Sequence, residues 1–335
     1  MKNKRYTLHI CCSVAAVILF SFVVFAASMP NKEDTLPDKT VSQDDYKEVF
    51  ANHYPLYSPP IPSEVSFAGE AVPIERFDVR EALDRELLVN VYWQSNLLLY
   101  CKRACRWFPV IEPILKANSI PDDFKYLALI ESGLMNVTSP AKASGFWQFL
   151  KETGIHHGLE INDEVDERYH LEKATEAACK YLKSSYKQHK SWVLAAAAYN
   201  MGDGGLKKSI DKQRNTSYWD LLLNEETSRY VYRILAAKII LSDPQQYGIR
   251  LRMVDLYQPI TPATILQVDS SINNLVDFAI GQGITYKQLK SFNPWLRSDK
   301  LTNKTGKTYN ILIPSQQQLL YEEQIKNINP NNLFK

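Results

Sequence analysis

Apolar residues that recur three and four positions apart, over residues 79–250, are the feature that most restricts the fold of this chain. The spacing runs through VREALDRELLVNVYWQSNLLLYCKRACRWF and returns in HLEKATEAACKYLKSSYKQH and ETSRYVYRILAAKIIL. It places apolar side chains on one face of an α-helix. SWVLAAAAYN predicts a further short helix, stopped by Gly202, Gly204 and Gly205. No alternating strand pattern stands out, so we predict an all-α domain of several packed helices.

A different pattern follows after about residue 255. TILQV and YNILIP are typical of strands, and INNLVDFAIGQG is typical of a helix that ends at glycine. TYKQLKSFNP begins with Thr285 and Gln288 at the spacing of a capping box and stops at Pro294. Strand, helix, helix and strand within about fifty residues predict a small α+β module. We therefore divide the folded part into a helical domain, residues 76–250, and a module with a tail, residues 256–335.

The first 28 residues carry information about the cellular localisation of the protein. Residues 1–28 begin with a basic end and continue as an apolar run to Ala26-Ala27-Ser28, which indicates a secretion signal. At roughly 20 residues the run is also long enough to stay in a bilayer as an uncleaved anchor. Either alternative predicts export to the periplasm or cell envelope. Residues 29–75 are proline-containing with few periodic apolar positions, and we predict a linker there.

Composition restricts the partners. With 335 residues the chain has room for two domains and a sizeable core. Its net charge of +2 is too small to favour nucleic acid as a partner. Cys101, Cys105 and Cys179 show no metal-ligand spacing. We expect the first two, four apart on one predicted helix, to be small buried hydrophobes, because a disulfide along one helix face would be strained.

The stretch YLALIESGL places a carboxylate where the helical pattern calls for an apolar residue. Pro121 and the aspartates after it predict a helix start, and Gly133 predicts its end. Phe124 and Leu127 define an apolar face on which the next position is Glu131. Lost hydration and the negative helix end both predict a raised pKa and a protonated side chain. Such a Glu suits a general acid, and a salt-bridged Glu at a helix end is the structural alternative.

Two further segments suit a sugar-binding cleft. SGFWQF places Phe146 and Trp147 beside the amide of Gln148, and flat aromatic faces next to amide donors suit sugar rings. AAAAYNMG places Tyr199 and Asn200 at a helix end after four small residues that allow close helix approach. Core packing for the first segment and a buried, hydrogen-bonded tyrosine for the second are the alternatives.

Together these segments resemble the catalytic domain of lytic transglycosylases, the lysozyme-like enzymes of bacterial cell walls, in the form of the membrane-bound murein transglycosylase D type. The matching segments are FKYLALIESGL, ASGFWQF, VDERYHLEKATEAACKYL, WVLAAAAYNMG and ETSRYVYRILAA, and they occur in the family's order. The resemblance implies a mainly α fold: a lysozyme-like (goose-type or SLT) all-helical catalytic domain, followed by the small α+β module.

The resemblance also implies roles, position by position. Glu131 matches the catalytic acid and base, and Gln148 matches a residue that holds the glycan near the scissile bond. Leu150 departs conservatively from the methionine that many relatives carry after this Gln. The residues expected to bind the glycan or shape its groove are Ser132, Phe146, Trp147, Gln148, Tyr199, Asn200 and Glu226.

The implied reaction cleaves the β-1,4 bond between N-acetylmuramic acid and N-acetylglucosamine in peptidoglycan glycan strands. Hydrolytic glycosidases generally need two carboxylates, whereas a lytic transglycosylase needs one, because the sugar's own 6-hydroxyl attacks and leaves a 1,6-anhydro end. No metal or organic cofactor is implied. A hydrolytic goose-type muramidase and a non-catalytic envelope glycan-binding or scaffolding protein are the alternatives.

Other carboxylates of the helical domain bear on that choice. Asp163, Glu164, Asp166 and Glu167 lie close together in sequence, and any of them is a candidate to approach the cleft. We favour a structural role for DERY, in which Asp166 caps a helix and Arg168 pairs with a carboxylate.

The C-terminal module resembles a LysM glycan-binding repeat over residues 262–314. The order of its elements and the closing NILIP fit this family. The usual opening, Val followed closely by Gly-Asp, is replaced by Gln267-Val268-Asp269-Ser270. Glycan binding and a simple cap on the catalytic domain are both open for this LysM-like module.

Overall fold

The structure, a computed structural model, describes residues 56–260 and 264–322. The predicted signal or anchor, residues 1–28, and the first part of the predicted linker lie outside the described residues. Within the described ranges, no helix is both long enough and apolar enough to span a bilayer.

The described part of the helical domain begins with a two-stranded hairpin and continues as helices. The strands are β1 (Ser66–Phe67) and β2 (Glu70–Ala71). The helices are α1 (Phe77–Tyr92), α2 (Gln94–Ala117), α3 (Phe124–Ser132), α4 (Lys151–His156), α5 (Leu171–His189), α6 (Trp192–Met201), α7 (Asp203–Gln213) and α8 (Glu225–Ser242). The predicted mainly helical fold is confirmed.

The structure adds one local detail to the predicted helices and corrects another. The long pattern that begins at Val79 forms two helices, because the backbone of Trp93 leaves the helical conformation, with ψ of 58°. The glycines after α6 also differ from one another. Gly202, with φ of +81°, separates α6 from α7, whereas Gly204 and Gly205 lie inside α7.

Helix α3 lies at the centre of the main core, and its residues from Phe124 to Ile130 are all buried. Helices α2 and α8 pack against it, and α8 also packs against α1 and α6. The four alanines of α6 are fully buried, as expected for residues that allow close helix approach. The end of α3, which carries Glu131, is therefore held on a rigid frame.

The last part of the predicted linker belongs to the folded unit, so the prediction is wrong for the hairpin. The side chain of Phe67 is fully buried and packs edge-on against Phe124, with 5.2 Å between ring centroids. Glu70 accepts a hydrogen bond from the hydroxyl of Ser191 at 2.7 Å, at the start of α6. An isolated Phe and Glu gave no periodic pattern in the sequence, and their burial depends on these distant partners.

The C-terminal module forms the predicted strand, helix, helix and strand. Its elements are β3 (Thr264–Val268), α9 (Leu275–Gly281), α10 (Tyr286–Phe292) and β4 (Tyr309–Ile313). The strands pair antiparallel, with Thr264 opposite Ile313. Thr285 and Gln288 form the predicted capping box at the start of α10.

The module shares its core with the helical domain. Val165 and Tyr169 of the helical domain are buried in the same apolar cluster as Leu289 and Ile311 of the module. Val165 forms an isolated β-bridge with Leu296, and the guanidinium of Arg297 lies 4.1 Å from the ring centre of Tyr169. The module is therefore packed directly onto residues 160–170.

The three cysteines of the described residues are free thiols. Cys101 and Cys179 are fully buried, and burial raises the pKa of each thiol to about 12. Cys105 is only partly buried. The prediction of a buried hydrophobe is confirmed for Cys101 and holds only in part for Cys105.

Candidate active site

Glu131 lies in the last turn of α3, partly buried between α3 and α8. The helix ends immediately after it because Gly133 adopts the left-handed conformation, with φ of +61°. Burial raises the pKa of the Glu131 carboxyl, and the negative charge of Glu226 raises it further. A hydrogen bond from Tyr230 and the charge of Arg233 act in the opposite direction without reversing the shift. The raised pKa agrees with the sequence prediction.

Helix α8 supplies residues that the sequence reasoning missed. The hydroxyl of Tyr230 donates a hydrogen bond to Oε1 of Glu131. Arg233 donates to the carbonyl of Ile130 at 3.2 Å and so holds the end of α3. Glu226, Tyr230 and Arg233 are four and three positions apart, which places them on one helix face. Glu226 was the one predicted site residue of this helix, and helical spacing from it could have indicated Tyr230 and Arg233.

The loop that carries Gln148 is fastened to the end of α3. The hydroxyl of Ser132 donates to the carbonyl of Phe146 at 2.9 Å. Gln148 has a φ of +49°, and its Nε2 donates to the carbonyl of Gly145 at 2.7 Å and to that of Val137 at 3.1 Å. Its Oε1 accepts no hydrogen bond from any described residue, so this oxygen is available to a ligand.

The predicted groove-shaping role of Trp147 is wrong. Its side chain is fully buried, and its Nε1 donates to the hydroxyl of Thr175 at 2.9 Å. Its backbone carbonyl accepts a hydrogen bond from the hydroxyl of Tyr199 at 2.7 Å. Trp147 therefore belongs to the core, and Tyr199 supports the loop from behind while its own pKa is raised by burial and by the charge of Glu131.

Asn200 joins the end of α6 to the start of α8. Its Nδ2 donates to Oε1 of Glu226 at 3.0 Å, and its Oδ1 accepts from the hydroxyl of Thr227 at 2.7 Å. The Glu226 side chain is thereby held near Glu131, as the charge effect on Glu131 also shows.

Two cavities flank the end of α3. The first cavity, of about 480 Å³, is lined in part by Tyr100, Ile130, Glu226 and Arg233. The second cavity, of about 700 Å³, has walls from both the helical domain and the module. A methyl group placed on Gly133 would lie 3.3 Å from Tyr100 in the first cavity and 3.2 Å from Arg103 in the second. Ile130, one residue before Glu131, lines the first cavity, and Leu134, three residues after it, lines the second.

The predicted structural role of DERY is confirmed. Asp166 accepts a hydrogen bond from the backbone N–H of Arg168 and caps the 3₁₀ turn Glu167–Tyr169. The two side chains form a buried ion pair at 2.7 Å. Arg168 also donates to the carbonyls of Lys142 and Phe149, on either side of Gln148. Gly145 packs so closely here that a Cβ would lie 1.8 Å from the carbonyl oxygen of Arg168.

Two neighbouring carboxylates serve the contact between the domain and the module. Glu164 accepts a hydrogen bond from the backbone N–H of Thr302 at 2.5 Å. Glu167 accepts from the backbone N–H of Glu160 at 2.8 Å and binds Lys173 and Lys307. Their hydrogen bonds and positive neighbours lower the pKa of both glutamates. Both are thus bound by partners of their own.

Among residues 56–260 and 264–322, no group of three or more His, Cys, Asp or Glu side chains is arranged to hold a metal ion.

Family models match both the helical domain and the C-terminal module. Residues 108–222 match the family model described as the transglycosylase SLT domain. Residues 264–317 match the model described as the soluble lytic transglycosylase C-terminal LysM-like domain. The chain thus carries a segment similar to the transglycosylase SLT domain, followed by a segment similar to a LysM-like domain.

Among curated proteins, the chain is homologous to membrane-bound lytic murein transglycosylase D of Escherichia coli K12. The two are 30% identical over 208 residues, which is 60% of this chain and 45% of the relative. The same figures hold for the protein of that description from Escherichia coli O6:H1. The chain therefore spans just under half the length of the curated relatives it matches. The boundaries 76–250 and 256–335 stay a prediction.

Proposed function

We propose that this protein is a peptidoglycan lytic transglycosylase that cleaves the β-1,4 bond between N-acetylmuramic acid and N-acetylglucosamine. The observation that carries the proposal is the carboxyl of Glu131, which is partly buried at the end of α3, accepts a hydrogen bond from Tyr230 and has a pKa raised by burial. The family match of residues 108–222 and the similarity to murein transglycosylase D support it.

The proposed reaction begins with a protonated Glu131. Tyr230 donates to Oε1, which leaves the carboxyl proton on Oε2 for donation to the glycosidic oxygen. As the bond from that oxygen to the anomeric carbon breaks, the sugar's 6-hydroxyl forms a new bond to the same carbon. Glu131, now a carboxylate, takes the hydroxyl proton and returns to its starting state. The product carries a 1,6-anhydro-N-acetylmuramic acid end, and no water is added.

The other site residues orient the glycan in this proposal. The unpartnered Oε1 of Gln148 accepts a hydrogen bond from a sugar hydroxyl or amide group. Asn200 and Glu226 form the polar wall on the α6 and α8 side. The hydrogen bonds from Ser132 to the carbonyl of Phe146 and from Tyr199 to the carbonyl of Trp147 hold the loop that carries Gln148 against the end of α3.

The proposed localisation of the protein is the cell envelope. The relatives are described as membrane-bound, and residues 1–28 have the sequence pattern of a signal or anchor. A periplasmic protein, freed by cleavage after residue 28 or held by that segment, fits a peptidoglycan substrate.

Mass spectrometry of the fragments released from purified sacculi tests the reaction. The wild type is expected to release anhydro-ended muropeptides, and Glu131→Gln is expected to release none above background. Glu225→Gln is the matched control, since it removes an exposed carboxylate of α8 and is expected to keep the release of anhydro-ended products. Hydrated, reducing-end products would show a muramidase instead. Sacculus binding without products from any variant would show a scaffolding protein.

For the LysM-like module we propose binding of the same glycan. A cavity of about 520 Å³ lies beside β3 and the start of α9, with the exposed Asn273 and Asp277 among its lining residues. Retention on sacculi is measured for the full chain in the inactive Glu131→Gln background. Adding Asn273→Ala and Asp277→Ala is expected to weaken retention. Unchanged retention would leave the module as a cap on the catalytic domain.

A further inference from the structure

We propose that the LysM-like module positions the proposed cleavage site, with Tyr169 as the positioning residue that connects the two. The module thus has a function besides the proposed glycan binding: it holds in place the Gln148 loop, residues 133–149. The contact runs through residues 164–169, the joining segment. The effect on cleavage rests on the proposed function, whereas the coupling between the module and the loop does not depend on any activity.

The module holds the joining segment by its backbone. The N–H of Asp166 donates to the carbonyl of Trp295 at 2.9 Å. The N–H of Arg297 donates in the other direction, to the carbonyl of Glu164 at 2.7 Å. Val165 lies between these two bonds, and its side chain is buried in the apolar core of the module. The joining segment is therefore paired with the module in the manner of neighbouring strands, and the module fixes its position.

Tyr169 contacts both the module and the Gln148 loop. Its ring is buried in the core of the module, and the guanidinium of Arg297 lies 4.1 Å from the ring centre. Its hydroxyl forms a hydrogen bond with the hydroxyl of Thr138 at 2.6 Å. Its carbonyl accepts a hydrogen bond from Nδ2 of Asn136 at 3.4 Å. A displacement of the module therefore displaces the side chain that holds two residues of the loop.

Thr138 is connected to Gln148 by short steps within the loop. Thr138 and Ser144 form an isolated β-bridge, and Ser144 forms another with Phe149, the neighbour of Gln148. Nε2 of Gln148 donates to the carbonyl of Val137, the residue before Thr138. The backbone of Gln148 has a φ of +49°, a conformation that a residue with a side chain keeps only where its surroundings impose it. Loosening Thr138 is therefore expected to release the side chain of Gln148.

Cleavage of a short glycan fragment by the full chain tests the proposal. Tyr169→Phe removes the hydroxyl that binds Thr138 and keeps the ring in the core of the module. It is expected to raise KM about fivefold, the effect of one hydrogen bond, and to leave kcat within about twofold. The reason is that Gln148 holds the glycan, whereas Glu131 transfers the protons. Thr138→Val is expected to give the same rise, and the double variant is expected to give no further rise.

Hydrogen exchange of the Gln148 loop, measured on the same proteins, gives a result that does not require activity. Tyr169→Phe is expected to speed the exchange of the amides in residues 136–149 about fivefold. Arg297→Gln removes the positive charge over the ring of Tyr169, and a smaller increase in both exchange and KM is expected. Arg297→Lys keeps a positive charge there and is expected to recover part of the wild-type values.

Tyr286→Phe is the matched control. Tyr286 also packs against the apolar core of the module, and its hydroxyl forms no hydrogen bond with any described residue. The substitution therefore removes a hydroxyl from a tyrosine that does not reach the Gln148 loop. It is expected to keep the wild-type KM and the wild-type exchange.

The outcomes separate this inference from the proposed function. Faster exchange in Tyr169→Phe, together with no cleavage by the wild type, would support the positioning and overturn the proposed activity. Unchanged exchange and unchanged KM, with cleavage by the wild type intact, would overturn the positioning alone. A raised KM with unchanged exchange would do the same, since Tyr169 would then act on the glycan directly and not through the loop.

Discussion

Glu131 and Glu167 are both held by hydrogen bonds inside the protein, yet their pKa values move in opposite directions. Burial raises the pKa in both cases. Glu131 has one neutral donor, Tyr230, and a second carboxylate nearby, so the effect of burial prevails. Glu167 has a backbone N–H and two ammonium groups, from Lys173 and Lys307, so the effect of its partners prevails.

The difference shows that burial alone does not make a proton donor. The pKa of a buried carboxyl stays raised only where positive charge and hydrogen bonds are weaker than the effect of burial. At the end of α3 the charge of Arg233 and the hydrogen bond from Tyr230 do not offset burial, whereas the partners of Glu167 do. The following predictions test this division, beginning with the largest expected effect.

Asp166→Ala is expected to lower the free energy of unfolding by about 3–5 kcal/mol, because it leaves the buried guanidinium of Arg168 without its partner. Urea denaturation measures the change. Asp211→Ala is the matched control: it breaks the exposed pair with Lys207 and is expected to change stability by less than about 0.5 kcal/mol. Equal effects of the two substitutions would show that the segment is not held by buried charge.

The same change, Glu→Gln, is expected to have opposite effects on stability at the two glutamates at pH 7. Glu167→Gln removes a charge that its partners stabilise and is expected to cost about 2 kcal/mol. Glu131→Gln removes a carboxyl whose ionisation is disfavoured by burial in the folded state but not in the unfolded state, and it is expected to gain about 1 kcal/mol. Urea denaturation of both variants measures the two differences, and effects of the same sign would contradict the comparison.

The pH dependence of these differences follows from the two shifts. The folded pKa of Glu167 is lowered, so its contribution to stability is present above its ordinary pKa of 4.5 and is lost as the pH falls through the folded value. The folded pKa of Glu131 is raised, so its contribution is fully present below 4.5 and is lost as the pH rises through the folded value. Repeating the denaturation at acidic pH is therefore expected to shrink both differences.

Tyr230→Phe is expected to slow cleavage about tenfold, since it removes the hydrogen bond that orients Glu131. That bond lowers the pKa of Glu131, so its loss raises the pKa and moves the alkaline fall of kcat/KM to higher pH. Tyr232→Phe, on the same helix, is the control and is expected to leave the profile unchanged. A slower variant whose pH profile does not move would assign Tyr230 to folding alone.

The local features of the site could be predicted from the sequence. Glu131 interrupts an apolar face, and Gly133 ends its helix, so both the position of the carboxylate and its raised pKa followed from short-range rules. The partner Tyr230 lies 99 positions away, and no spacing connects it to Glu131. The spacing from Glu226 places Tyr230 on the same face of α8, but its contact with Glu131 requires α3 and α8 to be packed together.

The wrong and the missing predictions also have physical reasons. The sequence around Trp147 fits a sugar-binding side chain and a core side chain equally well. Its indole N–H donates to the buried hydroxyl of Thr175, which stabilises the core position. The end of α1 at Trp93 depends on the backbone angles of one residue, which helical periodicity does not reveal. The hairpin that contains Phe67 is held by packing against the distant Phe124, and this contact leaves no local pattern in the sequence.

The bridge between Val165 and Leu296 has a consequence for the order in which the chain is completed during synthesis. A chain made from its amino end acquires Glu131, Gln148 and all of α8 before the apolar partners of Val165 exist. Arg168 binds the carbonyls on both sides of Gln148. The neighbouring Val165 and Tyr169 are buried only when the module, including β4, has been synthesised. The support of the proposed site is thus completed late in synthesis, although Glu131 itself lies in the first half of the chain.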